Sequence, residues 1–113
     1  MKTFTSKIDE VNYIKHLVNE VDRIAESMAD GIKTFKSYST DYDLDDYLII
    51  VEPGRNPYGS DYEIIITDWS TNEIFATIPI WNCGDLENQV KYLILKNQIK
   101  DLIFNEIVDY EFQ

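Results

Sequence analysis

Residues 61–81 read DYEIIITDWSTNEIFATIPIW, the clearest β-hairpin pattern in the chain. Apolar and polar side chains alternate over Asp61–Trp69 and again over Glu73–Trp81, as in strands with two different faces. Ser70-Thr71-Asn72 lies between these runs, and Asn72 can adopt the left-handed conformation that a three-residue turn requires. We therefore predict an antiparallel hairpin here.

A third strand-like run, Tyr47–Glu52, precedes the hairpin and is rich in residues that favour strands. Pro79 cannot donate a backbone hydrogen bond, so the last run is predicted to form an edge strand. Lys33–Tyr38 is a weaker candidate for a further strand, and Pro53–Ser60 has the composition of a surface loop. Alternation assigns one face of the three runs to the core: Tyr47, Ile49, Val51, Tyr62, Ile64, Ile66, Ile74, Ala76, Ile78 and Ile80.

The opposite face of the predicted sheet mixes carboxylates with large apolar side chains. Neither a purely solvated face nor a purely buried one has this composition. Two interpretations stay open: the face binds a partner, or a helix covers its apolar part and leaves an acidic rim. The residues of this face are Asp46, Leu48, Ile50, Glu52, Asp61, Glu63, Ile65, Thr67, Trp69, Glu73, Phe75, Thr77 and Trp81.

Helical periodicity is present on both sides of the strand-rich middle. Apolar residues at spacings of three and four predict a helix over residues 7–29, with a capping box at Ser6–Asp9 and a stop at Gly31. A second helix is predicted after Gly84 with Asp85 as its N-cap. Its apolar coverage exceeds one stripe, which indicates burial on two sides, a self-association surface, or a break near Asn97-Gln98.

This order of elements predicts one α+β domain over residues 1–113, with an αβββα-like arrangement. It comprises an N-terminal helix, a three- or four-stranded antiparallel sheet, and one or two C-terminal helices. Cys83 is the only cysteine, so no intramolecular disulfide can form, and a cytoplasmic location is expected. No long apolar run follows Lys2 or occurs elsewhere, so neither a signal peptide nor a membrane span is expected.

Negative charge is concentrated in the middle of the chain. The formal net charge is −11, and residues 37–90 hold eleven Asp or Glu against one basic residue, Arg55. Such a charge repels nucleic acid and anionic membranes, so neither is expected as a direct partner. A basic protein surface is the partner that this charge favours.

The sequence offers no catalytic or metal-binding signature, and we predict no enzyme activity, cofactor or metal. His16 is the only histidine and therefore has no second imidazole with which to share a metal ion. Asp41, Asp43 and Glu52 match places one, three and twelve of a calcium-binding loop, and Asp45 matches place five. That loop needs glycine at the sixth place, where this chain has Asp46.

In element order, length and charge, the chain resembles certain small acidic phage-encoded anti-CRISPR proteins. That resemblance implies an inhibitor that occupies the nucleic-acid channel of an effector nuclease. Double-stranded RNA-binding domains share the order of elements, but they contact phosphates through basic residues. The equivalent surfaces here are predicted to be acidic.

We therefore expect a nucleic-acid mimic that binds a basic protein, in particular a nucleic-acid-binding enzyme. Carboxylates would supply the charge, and exposed aromatic side chains would anchor the contact. The alternatives are a structural or assembly module that homodimerises, and an immunity protein that neutralises a cationic toxin. The residues predicted to contact the partner are Asp41, Asp43, Asp45, Asp46, Glu52, Tyr58, Asp61, Glu63, Trp69, Glu73, Phe75 and Trp81.

Overall fold

A computed structural model describes residues 2–55, 57 and 59–113 of the chain. It confirms the α+β fold. Along the chain, one helix precedes and one helix follows a four-stranded antiparallel sheet. Among the described residues, no helix combines the length and apolar character needed to cross a membrane. The elements are α1 (Lys7–Thr34), β1 (Thr40–Leu44), β2 (Tyr47–Pro53), β3 (Tyr62–Asp68), β4 (Glu73–Ile80) and α2 (Gln89–Glu111).

The sheet is a meander in which neighbours in sequence are neighbours in space, in the order β1-β2-β3-β4. Both helices pack on one of its faces. The Ser27 hydroxyl of α1 lies 3.1 Å from the Tyr42 hydroxyl of β1, and Tyr47 of β2 donates a hydrogen bond to Glu111 of α2. The core between the helices and this face includes Leu17, Ile24, Met28, Leu44, Ile49, Ile64, Ile66, Ile80, Ile99, Ile103 and Ile107.

Helix α1 starts as predicted but ends later. The Ser6 side chain accepts a hydrogen bond from the Asp9 backbone N–H at 3.1 Å, which confirms the N-cap. The helix continues through Gly31 to Thr34, so the predicted stop was wrong. A side chain at Gly31 would place its Cβ 2.2 Å from the Tyr38 ring, so this glycine permits close approach of the ring instead of ending the helix.

The first strand lies in the acidic segment that precedes Tyr47. The predicted strand over Lys33–Tyr38 was wrong, because α1 takes its first two residues and the rest form no strand. Residues 40–44 instead form β1, which pairs with β2 across the tight turn Asp45-Asp46. Pairing with an apolar neighbour therefore overrides the low strand preference of aspartate.

Helix α2 is continuous, and its N-cap lies three residues after the predicted one. Asn88 is the N-cap, with its side chain accepting from the N–H groups of Val90 and Lys91 at 3.0 and 3.2 Å. Asp85 lies in the preceding turn, so its predicted role was wrong. The helix runs without a break through Asn97-Gln98, and its fully packed side is a single line of residues, Leu95, Ile99, Ile103 and Ile107.

An irregularity in the β3–β4 hairpin reverses the faces at its turn end. Ile66 pairs with Ala76 but Thr67 pairs with Ile74, so Phe75 is an extra residue on β4. Ile74 is consequently on the face away from the helices and 59% exposed, contrary to its predicted place in the core. The other predicted core residues are buried. Asn72 has the predicted left-handed conformation, with φ of 57°, and β4 is an edge strand as Pro79 indicated.

Candidate functional site

The sheet face opposite the helices, here called the outer face, has no described helix over it. The interpretation in which a helix covers this face was therefore wrong. Register and alternation place three rows of cross-strand neighbours on it. The rows are Asp43, Leu48, Thr67 and Ile74; Asp41, Ile50, Ile65 and Thr77; and Glu52, Glu63 and Pro79.

The middle of the outer face is apolar. Leu48, Ile50 and Ile65 are half-buried, and Ile74 is exposed on the edge strand. Leu48, Ile50 and Ile65 are neighbours on β2 and β3. Thr67 lies between Leu48 and Ile74, and Ile74 joins the other three as the diagonal neighbour of Ile65, about 7–8 Å away and within reach of long side chains. We call these four residues the apolar centre.

Carboxylates border the apolar centre on one side and at one end. Asp41 and Asp43 are exposed on the edge strand β1, directly opposite Ile50 and Leu48. Glu52 and Glu63 occupy the next row along the strands and are direct cross-strand neighbours of each other. Because alternate residues of a strand are about 7 Å apart, Asp41 and Asp43 form a regularly spaced acidic edge.

The described ion pairs of lysine and arginine are formed with acids away from the outer face. Lys96 and Lys100 of α2 contact Glu26 and Asp22 of α1 at 3.8 and 3.3 Å, and these pairs tie the helices together. The remaining lysine and arginine pairs are Lys2–Glu111, Lys7–Glu10, Arg23–Glu20 and Lys91–Asp85, all in the helices or their flanks. Within the described ranges, Asp41, Asp43 and Glu52 form no ion pair, so their charge is not neutralised internally.

The β1–β2 turn follows the Asp43 row, and the Asp45 side chain in it turns toward α1. Asp45 has a positive φ of 50°, and its carboxylate oxygens lie 3.0 and 3.1 Å from Nε2 of His16. The Asp46 carbonyl accepts a hydrogen bond from the Trp69 backbone N–H at 2.8 Å, which joins the two hairpin turns. Trp69 is 50% exposed at this junction. The structure thus gives His16 a positioning contact that the sequence did not predict.

Two of the predicted contact residues, Glu73 and Phe75, lie on the helix-covered face of the sheet and not on the outer face. The extra residue on β4 places Glu73 beside Asp68, whose side chain accepts a hydrogen bond from Tyr110 of α2. Phe75 stacks on the Tyr110 ring with centroids 3.9 Å apart, so it packs beneath α2 and is not an exposed anchor. Glu73 and Phe75 are therefore not part of the outer face.

The remaining predicted residues lie at the other end of the sheet. Asp61 accepts a hydrogen bond from the Cys83 backbone N–H at 3.0 Å, which ties the start of β3 to the segment after β4. Trp81 directly follows β4 and is 39% exposed. Tyr58 lies outside the described residues. The structure therefore brings Asp41, Asp43 and Glu52 together on the outer face, with Asp46 and Trp69 at its turn end. Glu63 shares this face but is buried, and the Asp45 side chain turns toward α1.

A polar network near the turn end was not predicted from sequence. The hydroxyls of Tyr13 and Tyr47 donate to the carboxylate of buried Glu111 at 2.6 and 2.5 Å, and Lys2 Nζ lies 3.6 Å away. Burial and the Glu111 carboxylate raise the pKa of both tyrosines well above the usual range. The network anchors the C-terminal turn of α2. In the sequence, only the acidic and aromatic composition of residues 109–113 marks this region.

Two observations concern the groups that most often carry chemistry, the metal-ligating side chains and the cysteine thiol. No group of three or more His, Cys, Asp or Glu among them is arranged to hold a metal ion. Cys83 lines an open hollow of about 590 Å³. Burial, and to a smaller extent the negative charge of Asp61, raises the pKa of the Cys83 thiol to about 12, which disfavours the reactive thiolate. Comparison of the chain with protein-family models, curated proteins and solved structures gives no significant match.

Proposed function

We propose that this protein is an acidic inhibitor that mimics nucleic acid and covers the phosphate-binding surface of a basic protein. The observation that carries the proposal is the composition of the outer face. It combines an apolar centre with bordering carboxylates, among them Asp41, Asp43 and Glu52, which form no ion pair within the part of the chain that the structure describes. A partner built to hold phosphates presents lysine and arginine side chains that suit this arrangement.

The two parts of the outer face contribute differently to binding. The carboxylates attract a cationic surface over a distance of about a Debye length, which increases the association rate and makes it sensitive to salt. The apolar centre and exposed Trp69 are buried on contact and contribute a free energy that depends much less on salt. This combination supports a tight complex with a basic protein.

One observation favours a second function, a small homodimeric assembly module. Val90, Leu93 and Ile94 are exposed on the first turns of α2, with exposed fractions of 65%, 43% and 61%. Such a patch can pair with a second copy. An immunity protein that neutralises a cationic toxin would use the outer face as proposed above, and it differs only in its target.

The first prediction concerns the carboxylates of β1. We expect the double variant Asp41→Asn/Asp43→Asn to lose most of its affinity for the partner, because it removes the acidic edge. The matched control is Asp101→Asn/Asp109→Asn, which removes the same charge from exposed positions of α2. The immobilised wild type is used to recover binding proteins from a lysate at low salt, and these are identified by mass spectrometry. Each purified partner is then bound to labelled nucleic acid, and displacement of the nucleic acid by each variant is measured.

In this experiment, the wild type and the α2 control should displace nucleic acid from the purified partner, whereas the β1 variant should not. Displacement should weaken as salt is raised. Equal displacement by the two double variants would contradict the outer face as the site. A partner that binds this protein and nucleic acid at the same time would contradict mimicry.

A further inference from the structure

We infer that the outer face receives an amphipathic, basic α-helix of its partner, lying along the strands with its apolar side on the apolar centre. The inference rests on the proposed function, since it takes the partner to be basic. It adds the shape of the segment that binds. Three features of the outer face support it. These are the width of the apolar centre, the acidic edge, and the negative charge, which would repel a second copy of the chain.

The width of the apolar centre fits one helix. Its side chains come from β2, β3 and β4, and three adjacent strands span about 10 Å from first to last. An α-helix with its side chains is about 10–12 Å in diameter. On the other face of the same sheet, α2 already packs in this way against Tyr47 and Phe75, so the sheet accommodates helices.

The acidic edge fits the flank of such a helix. Asp41 and Asp43 lie one strand beyond the apolar centre, on β1, and are about 7 Å apart along the strand. Residues four apart on a helix rise by about 6 Å, so lysine or arginine at i and i+4 can meet both carboxylates. On the opposite side, β4 contributes Thr77 and Pro79, so the other flank of the helix needs no charge.

A second copy of the chain suits this face poorly. Each molecule carries a formal net charge of −11, and the outer face is bordered by carboxylates. Two outer faces packed together would bring those like charges close to each other, which disfavours association. Charge complementarity therefore selects a basic occupant.

Two synthetic peptides of one composition test the inference. The first is an 18-residue (about five-turn) peptide with leucine at i, i+3, i+4 and i+7 spacing and lysine along its flanks. The second contains the same residues in an order that has no helical amphipathicity. We expect the amphipathic peptide to bind at least about tenfold more tightly by calorimetry, because only it can place leucine on the apolar centre while lysine meets the acidic edge. It should also gain helical circular dichroism on binding and shift the amide resonances of outer-face residues.

A pair of isoleucine variants locates the contact. Ile74→Ser should lower the affinity for the amphipathic peptide about tenfold, since the Ile74 side chain is buried when the peptide docks. Ile94→Ser is the matched control, because Ile94 is 61% exposed on α2 and Ile74 is 59% exposed on β4. It should leave the affinity unchanged. Circular dichroism of each free variant verifies that the fold is kept.

The outcomes separate this inference from the proposed function. Equal binding of the two peptides, weakened by Asp41→Asn/Asp43→Asn in both cases, would overturn the helix inference and leave an acidic binding face. Binding of neither peptide, or loss of binding in Ile94→Ser but not in Ile74→Ser, would also overturn it. A dimer that Ile74→Ser dissociates, measured by sedimentation, would assign the outer face to a second copy. The nucleic-acid displacement assay decides the proposed function separately.

Discussion

Glu52 and Glu63 are directly opposite each other on β2 and β3, so two acidic residues adjoin across the outer face. Like charges at such positions destabilise a sheet by roughly 0.2–1 kcal/mol. Glu63 is also only 9% exposed, so the pair lies partly out of solvent. At the residue scale, the outer face thus holds charge at the expense of folding free energy.

The variant Glu52→Gln should therefore be more stable than the wild type, by roughly 0.2–1 kcal/mol at low salt. It keeps the size of the side chain and removes one of the two charges. Urea denaturation at low and high salt measures the effect, which should shrink as salt screens the repulsion. Glu87→Gln, at an exposed position before α2, is the control and should change little. A wild type more stable than Glu52→Gln at low salt would show that the carboxylate is favourable in the folded state.

At the scale of elements, Gly31 lies inside α1, and the Tyr38 ring packs directly against it. The ring of Tyr38 leaves no space for a Cβ atom, and the Tyr38 hydroxyl lies 3.0 Å from that of Tyr42 on β1. The Tyr38 side chain therefore contacts both the end of α1, at Gly31, and the first strand, at Tyr42. The Gly31 backbone carbonyl also accepts from Phe35 N–H at 2.9 Å, which closes the last turn.

We expect Gly31→Ala to lower the free energy of unfolding by about 1–3 kcal/mol, as overpacking does in well-packed sites. Helix propensity alone would favour alanine by about 1 kcal/mol, so the sign of the change distinguishes the two effects. Gly84→Ala is the control, because a Cβ atom there would meet nothing within 4 Å. Chemical denaturation measures both variants, and a stabilised Gly31→Ala would mean that Tyr38 moves away at little cost.

Elements whose signals are local were predicted from sequence, and those that depend on distant contacts were not. The β3–β4 hairpin, the left-handed Asn72 and the Ser6 cap each follow from a few neighbouring residues. Strand β1 forms because β2 pairs with it, and its aspartates alone favour a turn. The close approach of Tyr38 to Gly31, seven residues earlier in the chain, also leaves no local pattern.

The candidate site was predicted in part, for the same reason. Alternation along β2 and β3 correctly grouped Glu52 with Glu63, because both strands are regular. The extra residue in β4 exchanged the faces of Glu73 and Phe75, and only the pairing with β3 reveals that shift. The contact of His16 with Asp45 joins residues far apart in sequence and leaves no local pattern.

At the scale of the whole molecule, tyrosine hydroxyls connect the helices to each other and to the sheet. Tyr13 and Tyr47 donate to Glu111, Tyr110 donates to Asp68, and Tyr92 donates to Asp30. Each of these bonds needs the tyrosine in its neutral form. Burial is the main reason that the pKa of Tyr42 rises to about 12, and the hydrogen bond to Asp30 is the main reason that the pKa of Tyr92 does so.

The protein should consequently lose stability at alkaline pH. A folded-state pKa raised above the unfolded value, about 10 for tyrosine, contributes stability that is fully present below pH 10. That contribution is lost as the pH rises through the folded-state pKa values, so the loss should develop between about pH 10 and pH 12. Urea denaturation at a series of pH values measures it, and Tyr42→Phe should show a shallower decline. A free energy of unfolding that stays constant from pH 9 to pH 12 would contradict this account.

The location of the described lysine and arginine ion pairs in the helices and their flanks has a consequence for how the surface can evolve. Because ion pairs such as Lys96–Glu26 and Lys100–Asp22 stabilise the helix pair, the fold does not depend on charge at Asp41, Asp43 or Glu52. Substitutions on the outer face can then change specificity while the folded state persists. A lineage could follow changes in its target, or adopt a new one, without first acquiring compensating mutations in the core.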